Sequence, residues 1–200
     1  MSTITAHHEP SAFETSVADR KRIVAATVEA LDVFGLASTD IAAVARVADM
    51  SPTCVERHFP SWEGLVLAAV DRWNLDRFEQ VARETAGSAT LGFMRGLVAH
   101  SSAHRGLSRT LMTFSIGSSD AADLTGRFVR DSYRDFHAMV LQGLLFDLSQ
   151  GDVPAGTDVA ALAPTVVSLY MGLQLQMLLQ PDVDVVVAFD LGLEGLTRGW

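Results

Sequence analysis

Along the 200 residues, apolar side chains recur with the period of an α-helix, and almost no stretch alternates with the period of two that a half-buried strand needs. A chain patterned this way buries its hydrophobic faces by packing helix on helix, so the expected fold class is all-α. Residues 17–34 read as a first helix with Ile23, Ala26, Ala30 and Phe34 on one face. Gly35 is its stop, because glycine accepts the left-handed conformation that follows a helix. Asp40 caps a second helix whose core face is Ile41, Val44, Ala45 and Ala48.

The segment SPTCVERHFPSWEGL (51–65) punctuates the chain most densely. Ser51 is an N-cap, and Pro52 stands at the first helical position, where its missing N–H costs nothing. Met50 before the cap and Val55 after it form a hydrophobic staple, and Phe59 continues the inward face. Pro60 ends the helix at Phe59, and Ser61 caps a longer one over residues 62–83, with Glu63 near its positive end. Three short helices within residues 17–59, the last two joined by a few residues, make a helix-turn-helix unit. The remainder reads as a helical bundle with helices near 89–103, 105–116, 121–150, 158–179 and 183–198. The expected organisation is a flexible arm (1–16), a DNA-binding domain (17–62) and a ligand-binding and dimerisation domain (63–200).

Composition narrows the function. Hydrophobic residues make up 48% and charged residues 20% of the chain, as in a packed globular protein. The net charge of −9 argues against a broadly basic surface but leaves room for a local DNA site. The single cysteine, Cys54, excludes an internal disulfide framework and a multi-cysteine zinc site. Residues 1–16 lack the basic and apolar regions of a secretory signal, and a cytoplasmic location is expected. The apolar stretch 159–180 is interrupted by Pro164, Thr165, Ser168, Gln174 and Gln176, so a buried helix is expected there and no membrane partner.

Phe34-Gly35, Val44-Ala45, Ala48, Ser51, His58-Phe59-Pro60-Ser61 and Leu65, with their spacing, resemble the N-terminal domain of TetR-type transcriptional regulators. This signature covers about 45 residues, and beyond it "GLQLQMLLQPD" (172–182) is similar to a near-terminal helix of many such proteins. The resemblance implies a homodimer with two DNA heads and a C-terminal domain that takes a small effector. Effector binding would then alter the spacing of the heads and release a palindromic operator. Three positions depart from the family pattern: Asp49 replaces a turn glycine, Glu56 a phosphate-touching tyrosine, and Trp62 a phosphate-touching lysine.

Residues 17–62 carry five positive and six negative side chains, a net of −1, so phosphate attraction is weak. The positive charge is concentrated in Arg20, Lys21 and Arg22, which could reach the DNA backbone as an arm. On the recognition helix, Thr53, Cys54, Arg57 and His58 are the candidate readers, arginine on guanine being the commonest specific contact. Glu56 accepts from a cytosine amine or repels phosphate, and His58 has a structural alternative in bridging to a neighbouring helix. With Ser51, Ser61 and Trp62, these residues complete the expected DNA-binding set.

Residues 158–179 are apolar nearly all round, while residues 183–198 carry a stripe at Val185, Val186, Phe189, Leu193 and Leu196. Across a two-fold axis the two would form a four-helix homodimer interface. Trp73, Met94, His100, His104, Met112, Phe114, Phe136, Met139 and Tyr170 are the candidate lining of a pocket for a largely apolar small-molecule effector; the same residue types also build ordinary cores. His100 and His104 stand at metal-ligand spacing, but "HSSAH" lacks the glutamate of a metalloprotease helix and no third ligand follows from spacing. No nucleophile elbow, Walker loop or dinucleotide fingerprint occurs, so no enzyme, cofactor or metal is expected. The leading expectation is a ligand-responsive repressor; the alternatives are a ligand-binding dimer of this fold with weak or lost DNA binding, and redox sensing by Cys54.

Overall fold

The computed structural model describes residues 12–117 and 124–198, with the side chains of all of them except 12–14, 114, 115 and 124. The described residues form nine α-helices and one 3-10 turn, without a strand, as the periodicity implied. The helices are α1 (Ala12–Phe34), α2 (Ile41–Val47), α3 (Pro52–His58), α4 (Trp62–Glu84), α5 (Thr90–Ala103), α6 (Arg105–Gly117), α7 (Leu124–Gln150), α8 (Val159–Leu179) and α9 (Val185–Leu196), with the 3-10 turn at Leu36–Ser38. The expected start of the seventh helix, at 121, lies outside the described residues.

The predicted caps form. The Asp40 carboxylate accepts from the Ala43 N–H at 2.7 Å, Ser51 from Cys54 at 3.2 Å and Ser61 from Gly64 at 3.1 Å. Each such cap contributes about 1 kcal/mol and sets where its helix begins. Asp158 and Asp184 cap α8 and α9 in the same way. The first helix departs from expectation. It begins at Ala12, so residues 12–16 of the expected arm are helical and Arg20, Lys21 and Arg22 stand in mid-helix. No glycine or proline interrupts the chain between Pro10 and Gly35, so nothing stops the helix sooner.

Three core clusters run along the molecule. The head cluster joins Ile23, Ala26 and Ala30 of α1 to Val44, Ala45 and Ala48, with Val55, Phe59 and Leu65 closing it. Phe34, expected on this face, is exposed; Leu31 and Leu36 take the inward places as the chain turns at Gly35. A junction cluster of Leu31, Val66, Ala69, Val70, Trp73 and Leu107 joins head to body. The third and largest cluster fills the body, from Val81 and Met94 through Val140 and Leu144 to Val166, Tyr170 and Phe189.

α4 takes part in all three clusters, so it is a strut roughly 35 Å long that ties the head to the body. The end of α1 is also fixed to the body. A Cβ at Gly106 would lie 2.4 Å from the Asp32 carbonyl oxygen, so only glycine lets α6 start so close to α1. Beside it the His104 Nδ1–H donates to the Asp32 carboxylate at 2.7 Å.

α8 and α9 close the body. Among the described residues α8 is the helix long and apolar enough to cross a membrane; it packs against α5, α6, α7 and α9 and buries Val166, Val167, Tyr170, Leu173 and Met177. The α9 stripe read as a partner surface is largely used within the chain. Val185 and Phe189 are buried, and Val186, Leu193 and Leu196 pack on the body core. The apolar side chains left exposed on this pair are Leu175 and Leu179 of α8 and Val187 and Leu191 of α9. An open groove of about 500 Å³ runs along α8 past Leu169, Gly172, Leu175 and Leu179.

Candidate nucleic-acid interface and effector site

The turn between α2 and α3 is built by the backbone. Asp49 takes φ 50°, the one positive-φ residue other than glycine among those described. Its N–H reaches the Arg46 carbonyl at 3.3 Å and that of Met50 reaches Ala45 at 2.9 Å, the paired bonds that close a helix through a left-handed residue. Aspartate tolerates this conformation better than most side chains, which is how the turn forms without glycine. Arg22 locks it from α1: Nε donates to the Ala48 carbonyl and Nη2 to that of Asp49, both at 2.8 Å.

α3 is held by Val55 and Phe59, at 0% and 3% exposure, which leaves Thr53, Glu56 and Arg57 facing solvent. Arg57 Nη2 donates to Cys54 Sγ at 3.3 Å, so the guanidinium lies along the helix near its outward face. Cys54 and His58 are half-buried. His58 turns toward α1, with Nε2 3.8 Å from the Asp19 carboxylate, which is the bridging place. Asp19, Cys54 and His58 thereby bring possible metal-ligand atoms within 4.8 Å of one another.

The other expected DNA contacts divide by environment. Arg20 lies 3.9 Å over the Phe59 ring and donates to the His58 carbonyl at 2.8 Å. Arg20 and Arg22 therefore brace the head against α1, while Lys21 is exposed in mid-helix. Ser51 and Ser61 are exposed caps with their hydroxyls turned to backbone N–H groups. Trp62 is half-buried and packs on both the head and junction clusters.

The residues expected to line an effector pocket do not all meet. Trp73, His100, Phe136 and Tyr170 converge where α4, α5, α7 and α8 face one another. The Trp73 and His100 ring centroids are 6.2 Å apart and those of Phe136 and Tyr170 5.4 Å. Met94 lies in the body core and Met112 is buried, whereas Met139 is 38% exposed and cannot line an interior site. His104 stacks on His100 at 4.5 Å but gives its Nδ1–H to Asp32. Phe114 falls on α6, and its side chain lies outside those described.

Sequence reasoning missed Arg77, the centre of this cluster. Its side chain is buried, and Nη1 donates to the Tyr170 hydroxyl at 3.1 Å and to Ser101 Oγ at 3.3 Å. Nη2 donates to Asn74 Oδ1 at 2.9 Å, and the guanidinium lies 4.5 Å from the Trp73 ring centroid. A signal existed: Val66, Val70, Trp73, Arg77 and Val81 fall on one helical stripe, so the periodicity that buries the valines buries the arginine too. Beside it, burial pushes the His100 imidazole down to about 4, with His104 and Arg77 adding to the effect.

No protein-family model and no curated protein matches the sequence. Solved structures do match in fold. A TetR transcription regulator from Haloarcula marismortui ATCC 43049 superposes with a TM-score of 0.74 at 14% identity, covering 91% of this chain and 97% of the other. A TetR-family transcriptional regulator from Cytophaga hutchinsonii gives 0.70 at 17% identity, with 96% of each chain covered. Thermus thermophilus FadR, a TetR-family transcriptional repressor in complex with lauroyl-CoA, gives 0.60 at 19% identity, covering 90% of this chain and 94% of the other. The chain has the fold of TetR-type transcriptional regulators, an N-terminal helix-turn-helix head on an all-helical body.

Proposed function

We propose that this protein is a ligand-responsive transcriptional regulator, a repressor that binds a palindromic operator as a homodimer and leaves it when a small molecule occupies the body. The observation that carries the reading is α3 itself: Val55 and Phe59 anchor it inward while Thr53, Glu56 and Arg57 are exposed on its outer face. An arginine so placed suits a guanine edge in the major groove. Ser51 and Ser61, at the starts of this helix and its successor, and Lys21 on α1 are among the expected backbone contacts. The exposed Leu175, Leu179, Val187 and Leu191 favour self-association through α8 and α9. The effector site is the interior cluster around Trp73, His100, Phe136 and Tyr170, and α4 connects it to the head.

A second reading is a ligand-binding dimer of this fold that no longer binds DNA. It is favoured by the engagement of Arg20 and Arg22 with backbone carbonyls of their own chain, in a head whose net charge is −1. A gel shift with DNA from upstream of its own gene separates the two. The wild type should shift this DNA at low salt and lose affinity as salt rises. Arg57→Ala should weaken binding about tenfold or more, the worth of one bidentate base contact. Absence of any low-salt shift for the wild type favours the second reading, and a shift indifferent to Arg57→Ala moves the reading face elsewhere.

A further inference from the structure

Arg77 presents a problem in charge. Its side chain is 4% exposed, yet among the described residues no carboxylate forms an ion pair with it. Its hydrogen-bond partners are two hydroxyls and an amide oxygen, and the rings of Trp73 and Phe78 lie 4.5 and 5.1 Å from it. A buried guanidinium without a counter-charge opposes folding, because neutral dipoles and ring faces replace only part of its hydration. Stability therefore gives no reason for an arginine on the valine stripe of α4.

The groups around it repeat the imbalance. Arg77 Nε, Trp73 Nε1 and Gln174 Nε2 are buried donors without hydrogen-bond partners among the described residues, and His100 Nδ1, a donor or an acceptor according to its tautomer, is unpartnered as well. Trp73 stands one turn before Arg77 on α4, and Gln174 one turn beyond Tyr170 on α8, so both continue the faces that meet at the guanidinium. His100, held neutral at physiological pH, adds no second positive charge. The cluster thus has one cation and an excess of N–H donors, and its missing member is an acceptor-only group carrying one negative charge. Phe78, which packs on Phe93 and Phe136 at 6.1 and 6.0 Å between ring centroids, brings apolar surface next to that head.

We propose that the Arg77 cluster is the head-group site for a small organic monoanion, a carboxylate on an apolar body, and that such acids are the effector class of this protein. The inference rests on the ligand-responsive reading above and sharpens it: the aromatic and methionine content alone suggested a largely apolar effector, and the buried guanidinium adds an acidic head. A carboxylate takes the unpartnered Nε and replaces Asn74 Oδ1 on the adjacent Nη2, giving the two-pronged pairing for which a guanidinium is shaped, while Nη1 keeps the Ser101 and Tyr170 hydroxyls. A doubly charged phosphate would leave excess negative charge in the site.

The test uses the full chain without DNA. Thermal unfolding is followed with benzoate and octanoate, with their neutral amides benzamide and octanamide, and with inorganic phosphate. At least one acid should raise Tm over its amide by roughly 3 °C or more, and phosphate should do less. Arg77→Met should erase this preference while melting no lower than the wild type, since an apolar side chain there removes an uncompensated charge. Should that variant fail to fold, Arg77→Lys, which keeps the charge and loses the fork, should retain a reduced preference for the acid. Equal response to acid and amide, no response to either, a larger response to phosphate, or a preference that survives Arg77→Met overturns the proposal. Because the readout needs no operator, its failure is distinct from a failed gel shift.

Discussion

At the scale of single residues, what a charged side chain does depends on which acceptors lie within its reach. Arg20 and Arg22 are adjacent to Lys21 and carry the same charge, yet the two arginines meet the carbonyls of His58, Ala48 and Asp49 and act as braces. Nothing in a count of charges separates them from a phosphate contact. His100 shows the same dependence in its titration. Burial holds its folded-state value at about 4, against 6.5 when exposed, so the unfolded chain takes up the proton first as the solution is acidified. The sign follows: stability is undiminished by this group above about 6.5 and is lost progressively as pH falls toward about 4. His104, Arg77, Glu84 and Asp32 act on it through charge, the first two opposing protonation and the last two favouring it. Urea unfolding at several pH values should therefore show a shallower loss over this interval for His100→Phe than for the wild type.

At the scale of elements, the local rules performed well where a cap or stop decides the outcome. Asp40, Ser51 and Ser61 start α2, α3 and α4 where sequence spacing put them, because a side-chain oxygen three residues from an N–H is a local geometry. The α2–α3 turn is local as well, and Asp49 holds it in a conformation that glycine adopts more readily. Asp49→Gly should stabilise the protein by about 0.5–1 kcal/mol, and Asp49→Val, whose branched side chain fits this region poorly, should destabilise it by about 1–2 kcal/mol. Chemical denaturation of the three proteins at one pH checks both signs. The start of α1 was less legible, since helix-compatible residues upstream of 17 carry no stop and only the fold shows the first turn at Ala12.

At the scale of the whole molecule, the question is which apolar surface a chain uses within itself and which it leaves for another copy. The α9 stripe at Val185 and Phe189 goes inward, while Leu175, Leu179, Val187 and Leu191 stay exposed on α8 and α9 beside the groove that passes Gly172. Burial of such side chains between two copies contributes on the order of 1.5–3 kcal/mol for each one fully covered. The double variant Leu175→Glu, Leu191→Glu should sediment with the 21.5 kDa mass of one chain, and the wild type with twice that mass. A wild type that sediments as a single chain removes the homodimer from the proposed mechanism.

The amino-acid sequence by itself determined the all-α class, most helix boundaries, the capped turn of the head and the outward place of Arg57, because each depends on neighbours within about four residues. It placed Phe34 inside and Met139 at a ligand site, where the fold exposes both. Only the tertiary structure decided which apolar faces point inward, that Arg22 closes a turn 26 residues away, and that Tyr170 meets Arg77 across 93 residues. Periodicity reports that a side chain is inside but not what it faces. The Arg77 cluster, built from α4, α5 and α8, exists only where those helices cross.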